Sequence, residues 1–184
     1  MGRHHTLIHA IGKGDRKAFR TLYDLFSEQV FNLALSYVHN RKDAEEVTQD
    51  VFVSVHRNAA RFRGEAAVST WIYRIAINKA LNRIEKNKRT PSFQADSTDE
   101  AWPIFDHPGV VLENKERAAY LFRAIHALPE KQKTAFILGF VEDLPRQEIA
   151  DVMELSLKAV ESLLQRAKAN LRKKLEKMYP HRRK

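Results

Sequence analysis

The sequence contains no cysteine among its 184 residues. Disulfide bridges, thiolate zinc sites and thiol nucleophiles are therefore excluded. No uninterrupted apolar run approaches the roughly 20 residues of a membrane-spanning helix. The N-terminal stretch MGRHHTLIHA also has no apolar segment of the kind found in signal peptides. We therefore expect an intracellular chain with no membrane insertion of its own.

Glycine and proline are scarce, with six of each, and aromatic residues make up only 9% of the chain. Hydrophobic residues nevertheless reach 43% and charged residues 30%, which is typical of a helical protein with a buried core. Lysine and arginine number 32 against 23 acidic residues, giving a formal net charge of +9. A charge of this sign favours a polyanionic partner, nucleic acid first.

Apolar residues recur with helical spacing over two parts of the chain, and no alternating stretch is long enough to be a strand. The spacing is lost in NKRTPSFQADSTDEAWPIFDHPGVV, which is longer than most loops within a domain. The sequence therefore predicts an all-α protein of two small helical domains joined by a flexible linker. We place the domains at residues 1–88 and 113–184, and the linker at 89–112.

Four segments in the first domain have helical spacing. Asp15 is predicted to cap the start of one helix, and a second helix should cover residues 27–38. Asp43 is predicted to cap a third helix that ends near Arg57. The fourth helix should begin near Ser69. The third and fourth helices carry the residues that point to function.

The outward face of the third helix is acidic although its domain is basic. Near its start it carries Asp43, and its exposed positions are Glu45, Glu46, Gln49, Asp50 and Val53. Acidic residues at a helix N-terminus complement the helix dipole, which accounts for Glu45 and Glu46. It does not account for Asp50 or Val53. Both interpretations stand, and we favour a binding surface for a basic protein partner.

The fourth helix, within RGEAAVSTWIYRIAINKALNRI, buries an apolar stripe and turns a basic face outward. Trp71 falls in the middle of that face, beside Arg74, Asn78, Lys79, Asn82 and Arg83. An exposed aromatic ring among cations and amides suits the stacking of unpaired bases. A ring packed under the preceding loop, residues 63–69, would be structural instead. The residues alone leave both interpretations open.

Residues 146–165 have the apolar spacing of a DNA-binding helix-turn-helix. Ser156 is predicted to cap its second helix, and Glu154 stands where a glycine with positive φ is usual. On the second helix the residues expected to face inward are Leu157, Val160, Leu164 and Ala167. Amide, guanidinium and methyl groups suit base edges, and lysines suit phosphates. The outward residues of this kind are Lys158, Ala159, Ser162, Gln165, Arg166 and Lys168.

The motif D-A-E-E-x-T-Q-D-x-F, followed by S-T-W-I-Y-R-I-A, resembles region 2 of the extracytoplasmic-function sigma factors of bacterial RNA polymerase. The stretch that begins LPEKQKTAFILGFVEDLPRQEIADVM resembles their region 4. The resemblance covers about residues 7–86 and 114–176. It implies a bacterial, cytoplasmic initiation factor of the sigma-70 family that is not an enzyme and needs no cofactor or metal. No Gly-rich phosphate loop or H-E-x-x-H motif argues for an enzyme.

The resemblance implies a role for each matching surface. Core RNA polymerase would be bound at its β′ clamp helices by Asp43, Glu45, Glu46, Gln49, Asp50 and Val53. The −10 element of promoter DNA would be recognised and opened by Arg63, Ser69, Thr70, Trp71, Arg74, Asn78, Lys79, Asn82 and Arg83. The −35 element would be recognised by Lys158, Ala159, Ser162, Gln165, Arg166 and Lys168.

The resemblance also implies contact with the polymerase β flap and regulation by an anti-sigma factor. Glu161 and Leu163 depart from the family pattern, since relatives often have basic residues there. A rival interpretation is a stand-alone helix-turn-helix regulator whose first domain binds an effector or dimerises. It predicts binding of duplex DNA by the chain alone, but it gives the acidic face and Trp71 no joint purpose.

Overall fold

The computed structural model describes residues 3–89 and 120–178. Every regular element in these parts of the chain is helical. The chain divides into two compact units, Met1–Pro103 and Ile104–Lys184. The prediction of an all-α protein with two helical domains is therefore confirmed. The linker predicted at 89–112 lies outside the described residues except for Arg89, and its bounds stay a prediction.

The described part of the first unit consists of four α-helices and a short 3₁₀ turn. Helix α1 spans Arg3–Gly12, α2 Arg16–Val38, α3 Arg41–Asn58, the 3₁₀ turn Ala59–Arg61, and α4 Val68–Arg89. Helix α2 packs against α1, α3 and α4, and α3 also packs against α4. One face of each helix is thereby buried, and the opposite faces of α3 and α4 are left at the surface.

The core of the first unit is built from apolar residues at helical spacing. Its fully buried residues include Ile8, Leu22, Val30, Leu33, Val51 and Ile72. Burial of one such side chain contributes about 1.5–3 kcal/mol. In α4 the apolar stripe is buried at Tyr73, Ala76, Ile77 and Ala80, and its last two residues, Leu81 and Ile84, are half-buried. This stripe fixes which face of α4 is turned outward.

Capping residues decide where two of these helices begin. Asp15 caps α2 as predicted, because its carboxylate accepts two backbone N–H groups of the first turn at 2.8 and 3.1 Å. The predicted break before residue 27 is wrong, since α2 continues without interruption to Val38. The prediction that Asp43 caps α3 is also wrong. Asn40 caps α3 by accepting the backbone N–H of Asp43 at 3.0 Å, which leaves the Asp43 carboxylate for another contact.

The described part of the second unit contains a helical stretch at residues 120–126 and three further helices. Helix α5 spans Glu130–Phe140, α6 Arg146–Met153, and α7 Leu157–Met178. Helix α7 packs against α5 and α6, over a core that includes Phe122, Ile125, Ile137, Leu138, Ile149 and Val160. Helices α6 and α7 form the predicted helix-turn-helix. In both units, none of the described helices is long and apolar enough to cross a membrane.

The turn of the helix-turn-helix holds Glu154 in the left-handed region, with φ 55° and ψ 43°. This conformation costs a residue with a Cβ about 1 kcal/mol, whereas glycine adopts it freely. We expect Glu154→Gly to raise the free energy of unfolding of the second unit by about 0.5–1 kcal/mol. Scanning calorimetry of the full chain would measure this. Glu154→Ala keeps the Cβ, so an equal gain for that variant would contradict the backbone explanation.

Candidate protein and nucleic-acid interfaces

The outward face of α3 is exposed, as its residue pattern predicted. Glu45, Gln49 and Asp50 are exposed, and Val53 has 46% of its surface accessible. The side chain of Glu46 is 44% exposed. The face therefore presents an apolar centre at Val53 with carboxylates and an amide around it, a pattern that suits a partner with basic and apolar groups.

A groove of about 350 Å³ lies beside this face, between α2 and α3. Tyr23 lines it and is 38% exposed. Arg41 also lines it, with its guanidinium 5.8 Å from the centre of the Phe31 ring and its Nε 3.0 Å from Glu45 Oε1. The exposed ion pair adds little stability. The groove extends the acidic face of α3 with aromatic surface.

Asp43 and Arg83 were predicted on two different surfaces, but they bind each other. Arg83 Nε and Nη2 donate to Asp43 Oδ1 at 2.9 and 2.6 Å, and Arg83 Nη1 lies 2.6 Å from Glu46 Oε2. Asn87 Nδ2 donates to Asp43 Oδ2 at 2.8 Å. Burial opposes the charge on Arg83, but the hydrogen bonds and charges of the two carboxylates outweigh it and raise its pKa. Arg83 is thus turned toward α3.

Trp71 lies in the first turn of α4 and is half-buried. Its ring centre is 5.0 Å from that of Phe62, at an interplanar angle of 43°. Both interpretations of Trp71 therefore keep support, because the ring packs against the loop residue Phe62 and still has an accessible part. Thr70 is only 2% exposed. It belongs to the core on the inward side of α4, so its side chain is not accessible for the −10 contact that the resemblance implied.

A cleft of about 710 Å³ opens beside Phe62, between α1, the 3₁₀ turn and the loop that leads to α4. Its basic lining residues are His5, His9, Lys13 and Arg63. The ring of Phe62 lies 5.4 Å from that of His5. Gly64 has φ 74°, which favours glycine, and brings the loop close to His5. Sequence reasoning missed Phe62, although an aromatic residue directly before Arg63 and Gly64 was a usable signal.

The outward face of α4 carries most of the other predicted residues. Asn78 and Asn82 are exposed, and Arg74, Lys79 and Ser69 are half-buried. Trp71, Arg74, Asn78 and Asn82 follow one another at spacings of three and four residues, so they share one side of the helix. These four predicted residues therefore form one basic and amide-rich face of α4, whereas Ser69 lies on nearly the opposite side of the helix. In the loop, the side chain of Arg63 is 83% exposed.

Helix α7 presents the outward face that its pattern predicted. Ser156 caps the helix by accepting the backbone N–H of Ala159 at 3.2 Å. The exposed residues are Lys158, Gln165, Arg166 and Lys168, with Ala159 and Ser162 half-buried. Val160, Leu164 and Ala167 are buried as predicted. Leu157 was expected to face inward, but it is 41% exposed. It stands at the first position of α7, where no preceding turn lies beneath its side chain.

Two side-chain contacts order this face. Arg166 Nε donates to the carbonyl of Ser162 at 3.2 Å, and its Nη2 donates to the Ser162 hydroxyl at 3.0 Å. Arg146 Nη1 on α6 lies 3.4 Å from Glu161 Oε1 on α7. The carboxylate of Glu161, which departs from the family pattern, is therefore partly neutralised by a residue of the preceding helix.

A shielded carboxyl group lies in the loop between α5 and α6, where burial raises the pKa of Glu142 from 4.5 to about 7. The unfolded chain releases this proton near pH 4.5, while the folded unit keeps it to about pH 7. The stability that Glu142 contributes is therefore full below pH 4.5 and lost as the pH rises through 7. We expect Glu142→Gln to stabilise the unit at pH 8 by on the order of 1 kcal/mol. Denaturant unfolding of both proteins at pH 5 and pH 8 tests this, and parallel pH profiles would contradict it.

Two family models match the chain where these surfaces lie. Residues 22–90 match Sigma-70 region 2, and residues 112–171 match Sigma-70, region 4. The first match includes α3 and α4 with their outward faces, and the second includes the helix-turn-helix. Each of the two units thus contains one region of the same family.

Curated relatives match over nearly the whole chain. RNA polymerase sigma-H factor of Pseudomonas aeruginosa is 32% identical over 178 residues, 92% of each chain. ECF RNA polymerase sigma-E factor of Haemophilus influenzae is 33% identical over 92% of this chain and 94% of its own. The protein of that name from Escherichia coli K12 is 31% identical over 92% and 93%.

Solved structures share the fold. CnrH in complex with the cytosolic domain of CnrY matches with a TM-score of 0.70 at 22% identity, covering 94% of this chain and 96% of that chain. The sigma factor RpoE, in complex with the anti-sigma factor NepR from Bartonella quintana, matches with a TM-score of 0.66 at 19% identity, covering 87% and 98%. From the two region matches and the identity to its relatives, the chain belongs to the sigma-70 family, as an extracytoplasmic-function RNA polymerase sigma factor.

Proposed function

We propose that this chain is a sigma factor that binds core RNA polymerase, directs it to specific promoters and assists strand opening at initiation. The observation that carries this proposal is the presence of both sigma-70 region 2 and region 4 in one chain. The first unit supplies one acidic and one basic surface, and the second unit supplies a helix-turn-helix. The net charge of +9 suits a complex with DNA.

The acidic face of α3 is the proposed contact with the β′ clamp helices of polymerase. Glu45, Asp50 and the half-exposed Glu46 provide negative charge, and Val53 provides an apolar centre. Complementary charge across such an interface sets partner choice and association rate. The β flap is the further polymerase contact that we expect, by analogy with the family.

The outward face of α4 is the proposed −10 surface. Trp71 gives an unpaired base a ring to stack on, and the amides of Asn78 and Asn82 suit base edges. Arg63 and Lys79 suit the phosphates of the same strand. The cleft beside Phe62 is lined by both apolar and basic residues, so it is the site where we place an extruded base. Thr70 is no longer part of this proposed surface.

The outward face of α7 is the proposed −35 surface. A second helix of a helix-turn-helix enters the major groove, where Gln165 and Arg166 have the groups that distinguish adenine and guanine edges. The contact of Arg166 with Ser162 restricts the guanidinium before DNA arrives. Lys158 and Lys168 are the proposed phosphate contacts.

One structural neighbour is a sigma factor in complex with an anti-sigma factor, and we propose that an anti-sigma factor binds this chain and holds it inactive. We further propose that the chain acts in the bacterial cytoplasm, where its sigma-factor relatives meet polymerase. Sigma factors select and open promoters without a chemical step of their own, and we extend this to the present chain.

Transcription reconstituted with purified core polymerase tests the proposal. The chain should be retained by immobilised core enzyme and should produce run-off transcripts from defined promoters in a promoter library. Core enzyme alone is the control for background initiation. Absence of polymerase binding, together with tight binding of a duplex site by the chain alone, would instead establish the stand-alone regulator.

A further inference from the structure

Four residues join the polymerase-facing helix of the first unit to its DNA-facing helix. They are Asp43 and Glu46 on α3, and Arg83 and Asn87 on α4, and we call them the Arg83 cluster. The side chains of Asp43 and Arg83 are only 16% and 20% exposed, whereas the ion pairs within single helices are more than half exposed at both ends. Asp43 and Arg83 therefore form a shielded ion pair between two proposed interfaces, and the half-exposed Glu46 and the exposed Asn87 lie at its edge.

Each of the three nitrogen atoms of the Arg83 guanidinium contacts a carboxylate of α3. Its Nε and Nη2 donate to Asp43, and its Nη1 contacts Glu46. A phosphate that displaced Asp43 from Arg83 would leave a carboxylate on α3 that is only 16% exposed and has lost its cation. Asn87 occupies the other oxygen of Asp43 at 2.8 Å. The contacts thus fix the C-terminal half of α4 against the first turns of α3.

We infer that Arg83 is a positioning residue for promoter opening and not a DNA contact. Through Asp43 it holds α4 at one angle to α3, so that polymerase bound to α3 presents Trp71 and Asn78 to the strand being opened. Glu46 belongs to the Arg83 cluster and to the acidic face at once, and it couples the two surfaces. This inference rests on the proposed function, since it assigns the two faces of α3 and α4 to polymerase and DNA.

Asp43→Asn distinguishes a positioning role of Arg83 from a DNA contact, because the two roles predict opposite changes in promoter binding and opening. Removing a carboxylate beside a DNA-binding cation should strengthen promoter binding if Arg83 contacts phosphate. If Arg83 positions α4, Asp43→Asn and Arg83→Ala should each lower open-complex formation about 10-fold. The double variant should be no worse than either single variant, because both remove one interaction. Faster opening by Asp43→Asn would overturn the inference.

The salt dependence of promoter binding by the reconstituted holoenzyme also distinguishes a positioning role of Arg83 from a phosphate contact. Loss of one phosphate contact lowers the slope of log affinity against log salt by about 1. Arg83→Ala should weaken binding at every salt concentration with an unchanged slope. Lys79→Ala, on the same helix, is the matched control and should lower the slope. A lower slope for Arg83→Ala would make Arg83 a DNA contact.

Amide hydrogen exchange of the free chain tests the positioning itself, independently of sigma activity. Asp43→Asn replaces the carboxylate by an amide of the same shape, so the unit should stay folded while exchange at residues 80–89 becomes at least about fivefold faster. Lys86→Ala, an exposed change on the same helix, should leave exchange there unchanged. Unchanged exchange in Asp43→Asn would overturn the inference. Wild-type holoenzyme that opens no promoter would instead refute the proposed function and leave the exchange result to decide the positioning.

Discussion

Replacing Trp71 with alanine should lower the rate of promoter opening by about 10-fold to 100-fold while the affinity for core polymerase stays as in the wild type. The size of this loss follows from the stacking of one base on an aromatic ring, which is worth about 1–3 kcal/mol. Core affinity should persist because the acidic face of α3 is on another helix. Permanganate footprinting of unpaired thymines in the reconstituted open complex would measure the loss.

Trp71 also contacts Phe62 at 5.0 Å, so the alanine variant needs a control for packing. Trp71→Phe keeps a ring that can stack on a base, and it should retain most of the opening rate. A thermal unfolding curve of each variant shows whether the first unit is still folded. Normal opening by a folded Trp71→Ala protein would remove Trp71 from the −10 surface and leave it a purely packing role.

Reversing the charge of Asp50 should weaken binding to core polymerase by about 30-fold. Asp50 is exposed on α3 next to the accessible Val53, and a lysine there would face basic groups of the partner. A like-charge contact in an interface costs up to several kcal/mol, and about 2 kcal/mol at this exposed position corresponds to about 30-fold, since each 1.4 kcal/mol is a factor of ten. Competition with a labelled sigma factor for core enzyme would give the affinity of Asp50→Lys.

Asp24→Lys is the matched control for this charge reversal. Asp24 lies on α2, and its exposed side chain pairs with Arg20 on the same helix. The control makes the same change in net charge within the same unit, on a different helix from the acidic face. Equal weakening by both variants would show that net charge and not the α3 face controls the association. Unchanged affinity of Asp50→Lys would remove the acidic face from the interface.

Helical periodicity was enough to predict the fold class and to predict which side of most helices is exposed. A buried stripe determines its opposite face, so the exposure of Asp50, Asn78 and Gln165 followed from spacing alone. Local capping chemistry was equally readable at Asp15 and Ser156, because each accepts N–H groups two or three residues ahead. These features depend on near neighbours in the sequence.

The errors arose where contacts join distant parts of the sequence. Asp43 is a residue type that commonly caps helices, yet Asn40 caps α3. Asp43 instead binds Arg83, which is 40 residues away in the sequence. Periodicity put Arg83 on the basic face of α4 and gave no sign of that partner. Phe62 was passed over because its role depends on α1 and Trp71 lying on either side of it. Pairing of this kind is a property of the packed helices.

The short connections of the first unit have a consequence for how the chain folds as it is made. Only residues 13–15 join α1 to α2, and only His39 and Asn40 join α2 to α3. Many of its helix contacts are therefore close in sequence, and such low contact order favours folding within milliseconds or less. Synthesis adds about 5–20 residues per second. The acidic and basic faces should thus be complete before the helix-turn-helix leaves the ribosome, which protease protection of stalled nascent chains would reveal.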